Sequence, residues 1–301
     1  MEHLHRYAPI VDDLEAFLAA AEEPLHRVVW ANTVRTTAEE VEGWIHDRCP
    51  EAERVSWFDA AWRIPAGAAR PGKWPEFVLG LIHTQEEVSL WPVWALDARP
   101  GEAVLDMCAA PGSKAARTAV AMADRGRLMA NDRKWGRLQG VQDVVARLGL
   151  TCVASSNMGG AQIPGDACFD RVLVDAPCTG EGTTRKAGGG KRPQIVKDDF
   201  HKLASVQKGL LRRAVELVRP GGTVIYATCT YAPEENEAVL DGIYPEKAEI
   251  EPIRVPEGVR VAPGVTEWQG RSFRPDVANA IRFWPHLNDT GGFFVARLRR
   301  L

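Results

Sequence analysis

From residue 103 to the end, short runs of β-branched and apolar residues alternate with longer stretches of helical period. That alternation is the strongest constraint on what this chain can fold into. Residues 103–107, 127–131, 151–156, 171–174 and 223–228 read as strands. A Gly-containing turn and an Ala-rich helix follow the first, and a helix over 133–148 follows the second. Asp198 is placed to cap a long helix with Leu203, Val206, Leu210, Ala214 and Leu217 at helical spacing, stopped by Arg219-Pro220-Gly221-Gly222. Residues 293–298 form a closing strand. Apolar strands separated by helices call for an α/β fold, with a parallel sheet covered on both faces. The 45% apolar content is enough to fill such a core.

The first part of the chain reads differently. It holds Trp30, Trp44, Trp57, Trp62, Trp74, Trp91 and Trp94, seven of the ten tryptophans. A helix is expected over 10–21, with Ile10, Leu14, Phe17 and Leu18 on one face, and a strand over 26–33. Thr37 and Glu40 make a capping box for a helix that buries Val41, Trp44 and Ile45. A further strand is expected over 55–64, then a Pro/Gly stretch over 65–75. The division expected is a small α/β module over 1–75 and a catalytic domain over 76–301, with 76–96 connecting them. A net charge of -3 announces no polyanion partner, so any basic surface must be local. The six cysteines include no CxxC pair and no Cys/His cluster of zinc spacing, so no metal is expected. The start MEHLHRYAPI lacks the pattern of a signal peptide, and no run approaches the ~20 apolar residues of a membrane span. The expectation is a cytoplasmic monomer with reduced thiols.

In open α/β sheets, ligands sit beyond the carboxyl ends of the strands. After the first strand comes Asp106-Met107-Cys108-Ala109-Ala110-Pro111-Gly112-Ser113-Lys114, whose small residues let a ligand approach a helix N-terminus. The alternative is a tight turn with no ligand. After the second comes Asp132, a carboxylate suited to vicinal ribose hydroxyls or, alternatively, to capping the next helix. The absence of GxGxxG points to a nucleoside cofactor smaller than a dinucleotide. The fourth and fifth strands end in Asp175-Ala176-Pro177-Cys178 and Ala227-Thr228-Cys229. One such cysteine is usually a buried small hydrophobe. Two at neighbouring strand ends on the ligand edge are poorly explained by packing. From the residues alone Cys108, Cys152 and Cys168 read as structural, Cys49 ends a helix before Pro50, and no histidine is placed for a Cys/His hydrolase.

The strings DMCAAPGSK, DAPCTGEG and ATCTYAPEENE resemble, in order and spacing, three motifs of the NOP/SUN family of RNA cytosine-C5 methyltransferases. WANTVRTTAEE resembles the family's segment before the catalytic domain and PHLNDTGGFFVARL its ending, so the resemblance covers most of the chain. It implies a Rossmann-like class I methyltransferase sheet with a small RNA-recognition-like N-terminal module. It also implies S-adenosylmethionine as cofactor, S-adenosylhomocysteine as product, and a ribosomal or transfer RNA with an accessible cytosine as partner. By the same resemblance Cys229 is the nucleophile, Cys178 assists product release, and Asp175 lies against the cytosine ring edge. Cys108, Ala109, Ala110, Pro111, Gly112, Ser113 and Lys114, with Asp132 and Arg137, fall in the cofactor site; Asp175 borders it and Lys114 also faces the chemistry. One departure concerns the acidic residue that members usually carry after the third strand. The text here is Ser155-Ser156-Asn157-Met158-Gly159-Gly160, with Gly159 at the acidic position, which leaves Asn157 and Gly160 as the expected contacts there, or else a lower cofactor affinity.

The chemistry asks for these residue types. Carbon-5 of cytosine is a poor nucleophile until a thiolate adds at carbon-6, which is covalent catalysis. A carboxyl group at ring nitrogen 3 stabilises the adduct. A second thiol then has a purpose in product release, and the base must be unpaired or flipped out. The run after Cys178 carries Arg185, Lys186, Lys191 and Arg192 around three glycines, and is expected to hold RNA phosphates. The alternative is a solvated connector, with the basic surface near Arg27 and Arg35 instead. A DNA cytosine methyltransferase is disfavoured by the missing Glu-Asn-Val signature, and an inactive RNA-binding factor by the presence of both cysteines.

Overall fold

The computed structural model describes residues 2–185 and 197–301. After helix α1 (Leu14–Ala20) comes a four-stranded antiparallel sheet. Its strands are β1 (Arg27–Ala31), β2 (Glu53–Arg54), β3 (Ala61–Ile64) and β4 (Ile82–Gln85), in the order β2-β3-β1-β4. Helix α2 (Ala38–Arg48) packs Val41 and Ile45 on Val29, Trp62 and Ile82 of this sheet. Its capping box forms as expected: Glu40 N donates to Thr37 Oγ1 at 3.2 Å and Thr37 N to Glu40 Oε2 at 3.0 Å.

Three expectations change here. Of the strand read over 55–64 only β3, at 61–64, forms; β2 lies just before that range, and the intervening turn carries Ala60 at φ +55°. Trp57 and Phe58 leave that turn and join the core of the second sheet instead. The last strand of the first sheet, β4, lies past residue 75, preceded by α3 (Pro75–Val78), in the segment read as a connector. The helix expected over 10–21 begins only at Leu14, where Asp13 accepts from Ala16 N at 2.9 Å. With the turn Glu2–Tyr7 it packs away from the first sheet. Leu4, Tyr7 and Phe17 are buried among Tyr231 and Trp284 of the second sheet's core.

The second sheet follows α4 (Trp91–Leu96). It begins with β5 (Ala103–Asp106), α5 (Ser113–Ala121), β6 (Arg127–Asn131), α6 (Trp135–Leu148), β7 (Val153–Ser156) and β8 (Phe169–Asp175). Then come α7 (Lys197–Leu217), β9 (Val218–Thr228), α8 (Glu237–Leu240), β10 (Ala248–Glu251) and β11 (Ala262–Pro263). A small hairpin of β12 (Glu267–Trp268) and β13 (Arg271–Ser272), then β14 (Ile281–Phe283), α9 (Pro285–Asn288) and β15 (Phe293–Arg300) complete the chain. The strand order is β11-β14-β15-β9-β8-β5-β6-β7, with β10 on β15. Strands β9-β8-β5-β6-β7 are parallel and β15 is antiparallel to β9.

Period-two alternation explains the two covered faces. Leu105, Val172, Val174, Val224 and Tyr226 face α7, and Val104, Leu173, Ile225 and Ala227 face α5 and α6. The α7 helix starts at Lys197, and the expected Asp198 cap concerns a side chain outside the described ones. Leu210, Ala214 and Leu217 of the predicted face are buried, but Val206 is 42% exposed. Gly112 brings α5 and α6 together: at φ +113°, a Cβ there would sit 2.9 Å from Val141 Cα. The strand order reverses between β5 and β8, and the crevice beyond their carboxyl ends is where such a sheet takes its ligand.

Candidate active site

At that edge lies a cavity of about 1000 Å³. The turn Met107–Lys114 forms one wall, and Asp132, Arg133 and Lys134 after β6 form a second. The residues 175–178 after β8 and Cys229 after β9 form the floor. Leu203 and Val206 of α7, read as core, line the cavity, which explains the exposure of Val206. The part of the chain before β5 contributes Leu25, Gln85, Glu86 and Ser89.

The two strand-end cysteines meet: Cys178 Sγ and Cys229 Sγ are 3.3 Å apart. The contact with Cys229, followed by burial, pushes the Cys178 thiol well above the usual thiol range. Either sulfur can donate in this contact. The loops that carry the two cysteines are tied closely together. Gly182 N donates to the Cys229 carbonyl at 2.9 Å, and Gly292 N to the Gly182 carbonyl at 2.9 Å. Both positions need glycine: a Cβ on Gly182 would lie 2.1 Å from Gly292 O, and one on Gly292 2.0 Å from the Tyr231 ring. Beneath them Glu235 accepts from Thr179 N at 3.1 Å, Thr179 Oγ1 at 2.5 Å and Gln207 Nε2 at 2.8 Å. Burial outweighs these bonds and lifts its carboxyl to about 6. Thr230 Oγ1 donates to Glu181 at 3.0 Å, and Tyr7 OH donates to the same carboxylate, which pins the N-terminal turn under the site.

Lys114 Nζ is 2.8 Å from Asp175 Oδ2 and 5.5 Å from the centre of the Phe293 ring. Burial opposes its charge, but the Asp175 carboxylate outweighs burial and raises its pKa. Asp106, at the end of β5, is 1% exposed. Burial first, then the charge of Asp175, push its carboxyl up to about 7. Its Oδ1 accepts from Cys108 N at 3.4 Å, and its Oδ2 has no partner among the described residues.

Asp132, 3% exposed, combines both readings made of it. It lines the cavity, and its Oδ1 accepts from Lys134 N at 2.8 Å just before α6. Arg137 Nη1 lies 3.2 Å from its Oδ2, while Arg137 Nη2 donates to the Ala110 carbonyl at 2.8 Å. Asn157 is not brought to the cavity wall; it is exposed and donates to the Asp132 carbonyl at 2.7 Å. Gly159, Gly160 and Gln162 line the wall there. Gln162 Oε1 occupies the place of a Gly159 Cβ, 1.8 Å from it, so an amide oxygen stands where an acidic side chain would emerge. Cys108 lines the cavity with its thiol raised by burial and the nearby carboxylates.

The reading of Arg185 as an RNA contact is overturned. The side chain is 3% exposed. Its guanidinium donates to the carbonyls of Glu23 (3.1 Å), Pro24 (3.3 Å) and Thr290 (3.0 Å) and pairs with Asp289 Oδ1 at 2.5 Å. It fastens the loop after Cys178 to two distant segments, with four of the five guanidinium N–H groups engaged and the side chain buried away from a phosphate. Lys186, Lys191 and Arg192 lie outside the described residues. An exposed basic group stands elsewhere, as Arg133, Lys134 and a 62% exposed Trp135 after β6. Sequence reading passed over it because it was taken only as the start of a helix. It also passed over Phe293, which lines the cavity, although the Gly291-Gly292 pair before it signals a close backbone approach.

Residues 93–299 match the model of the family described as 16S rRNA methyltransferase RsmB/F. The chain is 34% identical to a tRNA (cytosine(49)-C(5))-methyltransferase of Pyrococcus abyssi, over 99% of this chain and 95% of that one. It is 31% identical to a ribosomal RNA small subunit methyltransferase F of Erwinia tasmaniensis, spanning 63% of that longer relative. It is 33% identical to a mouse 28S rRNA (cytosine-C(5))-methyltransferase, covering 37% of its length. A methyltransferase homolog from Pyrococcus horikoshii superposes with a TM-score of 0.83 at 31% identity, over 96% of this chain and 91% of that one. NSun6 from the same organism shares the fold, with a TM-score of 0.85 at 18% identity.

Proposed function

The chain belongs to the RsmB/F family of RNA cytosine-C5 methyltransferases, and from that premise we propose that it forms 5-methylcytosine in ribosomal or transfer RNA, through a covalent bond between Cys229 and carbon-6 of the target base. One observation carries the reading: two cysteine sulfurs 3.3 Å apart at the switch-point cavity, beside a Lys114–Asp175 ion pair.

The cavity fits S-adenosylmethionine. Its volume of about 1000 Å³ admits a nucleoside together with a flipped base. The buried carboxylate of Asp132 suits a ribose, the Gly159-Gly160 wall suits an adenine, and the N-terminus of α5 suits a carboxylate. When bound, that cofactor supplies a methyl group activated by a sulfonium centre.

The chain's own residues do the rest. In this reading Cys178 is the thiol donor of the sulfur pair, which favours the thiolate of Cys229, whose own proton passes to solvent. That thiolate adds to carbon-6, the carbon-5–carbon-6 π bond opens, and negative charge develops toward ring nitrogen 3 and the carbonyl oxygen. Asp175 presents the ring edge with a group positioned by Lys114, and the Lys114 charge faces the developing anion. Once carbon-5 carries the methyl group, its proton must go to a base. The carbon-6–sulfur bond then breaks and the double bond re-forms. Cys178 is the group in place beside the leaving sulfur. It gives its thiol proton to the departing Cys229 sulfur and takes the carbon-5 proton in its place, so both thiols end protonated and the base is released.

The RNA is met at the rim formed by Arg133, Lys134 and Trp135. Arg133 and Lys134 line the cavity mouth with no side-chain ion pair among the described residues, and Trp135 offers a free stacking face. Cations for phosphates next to an aromatic for bases are the elements of single-strand recognition. The test of the function is transfer of a labelled methyl group from S-adenosylmethionine to RNA, with the site read by bisulfite sequencing. A single protected cytosine, lost when the gene product is absent, is expected. Label on adenine or on protein, with no cytosine protected, overturns the reading.

A further inference from the structure

His83 lies where the two sheets meet. It is the second residue of β4 and is 5% exposed. Its ring stacks on Phe77 (5.8 Å between centroids, 13° between planes) and tilts against Trp30 at 5.1 Å. Nδ1 is 2.5 Å from Nη2 of Arg147, in the last turn of α6. Nε2 is 3.0 Å from Oγ of Ser113, the first residue of α5.

Each contact restricts the next. A guanidinium has only donors, so Nδ1 of His83 accepts. A neutral imidazole that accepts at one nitrogen carries its proton on the other, so Nε2–H donates to Ser113 Oγ. Burial, then the Arg147 charge, push the His83 pKa down to about 3, which keeps the ring in this form. Arg147 is itself held by the Phe77 carbonyl at 2.5 Å and lies over the Phe77 ring at 3.9 Å. Because Nε2–H is the donor in this contact, the Ser113 hydroxyl cannot donate back to His83 and directs its own proton elsewhere. Ser113 lines the catalytic cavity, at the end of a helix whose N-cap, Gly112, has no side chain to offer. An anion placed there meets the helix's free amides and one oriented hydroxyl donor.

We propose that His83 is a positioning residue that sets the Ser113 hydroxyl as a donor to the carboxylate of the cofactor's amino-acid end, so that cofactor binding depends on a strand of the first sheet. The inference rests on reading this cavity as the S-adenosylmethionine site. It joins the two sheets functionally: any shift of β4 against α5 is felt at the anion end of the cofactor.

The test uses the whole chain and two probes, S-adenosylhomocysteine and 5′-methylthioadenosine, which is the same nucleoside thioether without the amino-acid end. Calorimetry on Ser113→Ala and His83→Leu is expected to show about ten- to a hundredfold and about five- to twentyfold weaker S-adenosylhomocysteine binding, respectively. Binding of 5′-methylthioadenosine should stay within about twofold, since it has no carboxylate to lose. The double variant should lose no more than Ser113→Ala alone, because both act through one hydroxyl. His83→Gln, whose amide nitrogen can donate to Ser113 in place of Nε2–H, should recover most of the affinity. Equal losses on both probes in His83→Gln and Ser113→Ala, or additive losses in the double variant, overturn the proposal. Failure of wild type to bind either probe instead overturns the cofactor reading itself.

Discussion

Arg185→Ala separates a structural guanidinium from an RNA contact. The side chain donates to three carbonyls, those of Glu23, Pro24 and Thr290, and pairs with Asp289. Asp289 is 72% exposed and returns to water at little cost, so the ion pair itself contributes little. The carbonyls lose their donor in a space an alanine leaves partly empty. At about 1 kcal/mol each, with the lost packing, the sum is about 3–5 kcal/mol. For a chain of 301 residues, an unfolding entropy of about 2.1 cal/mol/K per residue turns this into a fall in Tm of about 5–8 °C. Calorimetric or circular-dichroism melts measure it. The salt dependence of RNA binding should keep its slope, whereas loss of a phosphate contact would reduce it by about 0.7. An unchanged Tm together with a shallower slope would refute the burial argument and return Arg185 to the RNA.

Asp132→Ala should weaken S-adenosylhomocysteine binding about ten- to a hundredfold by removing charge-assisted bonds to the ribose. A melt shifted to lower temperature with unchanged affinity would leave it as a helix cap only. Trp135→Ala should raise the KM for RNA about five- to a hundredfold, from about 1–3 kcal/mol per stacked base, without altering cofactor affinity; equal KM values would remove the stacking platform. Asp106 carries a pKa raised from 3.8 to about 7, so its folded form binds the proton more tightly. The associated stability is present below about pH 4 and is lost as pH rises through about 7. Asp106→Asn should therefore raise Tm relative to wild type by an amount that grows between those limits and is largest near pH 8. A difference that does not change with pH would contradict the assignment.

Much of this was legible because the signals are local. Runs such as Val172–Val174, apolar on both faces, require a sheet covered twice, and Thr37 with Glu40 closes a helix start within four residues. The cysteines followed from one rule about strand ends, and their sulfurs do meet. What escaped depends on remote partners. Arg185 sits in a glycine- and cation-rich run that reads as solvated, and only the carbonyls of residues 23–24 and 290, far away in sequence, make it a buried strut. The strand Ile82–Gln85 is four residues long and has no period of its own until Val28–Ala31 lies beside it. The Tyr7 turn is placed by Glu181 and aromatic packing across the whole chain, not by any helical pattern. Near Gly159, the polar atom at the wall comes from Gln162, three residues on, because the turn Gly160–Gln162 folds that side chain back over the glycine.

The division of labour between the two thiols is most directly tested by trapping. Cys229→Ala and Cys178→Ala are each incubated with RNA and S-adenosylmethionine and run on a denaturing gel. The account predicts a stable protein–RNA adduct with Cys178→Ala, in which the bond to carbon-6 forms and release stalls, and none with Cys229→Ala. An adduct that accumulates with Cys229→Ala and is absent with Cys178→Ala would contradict it.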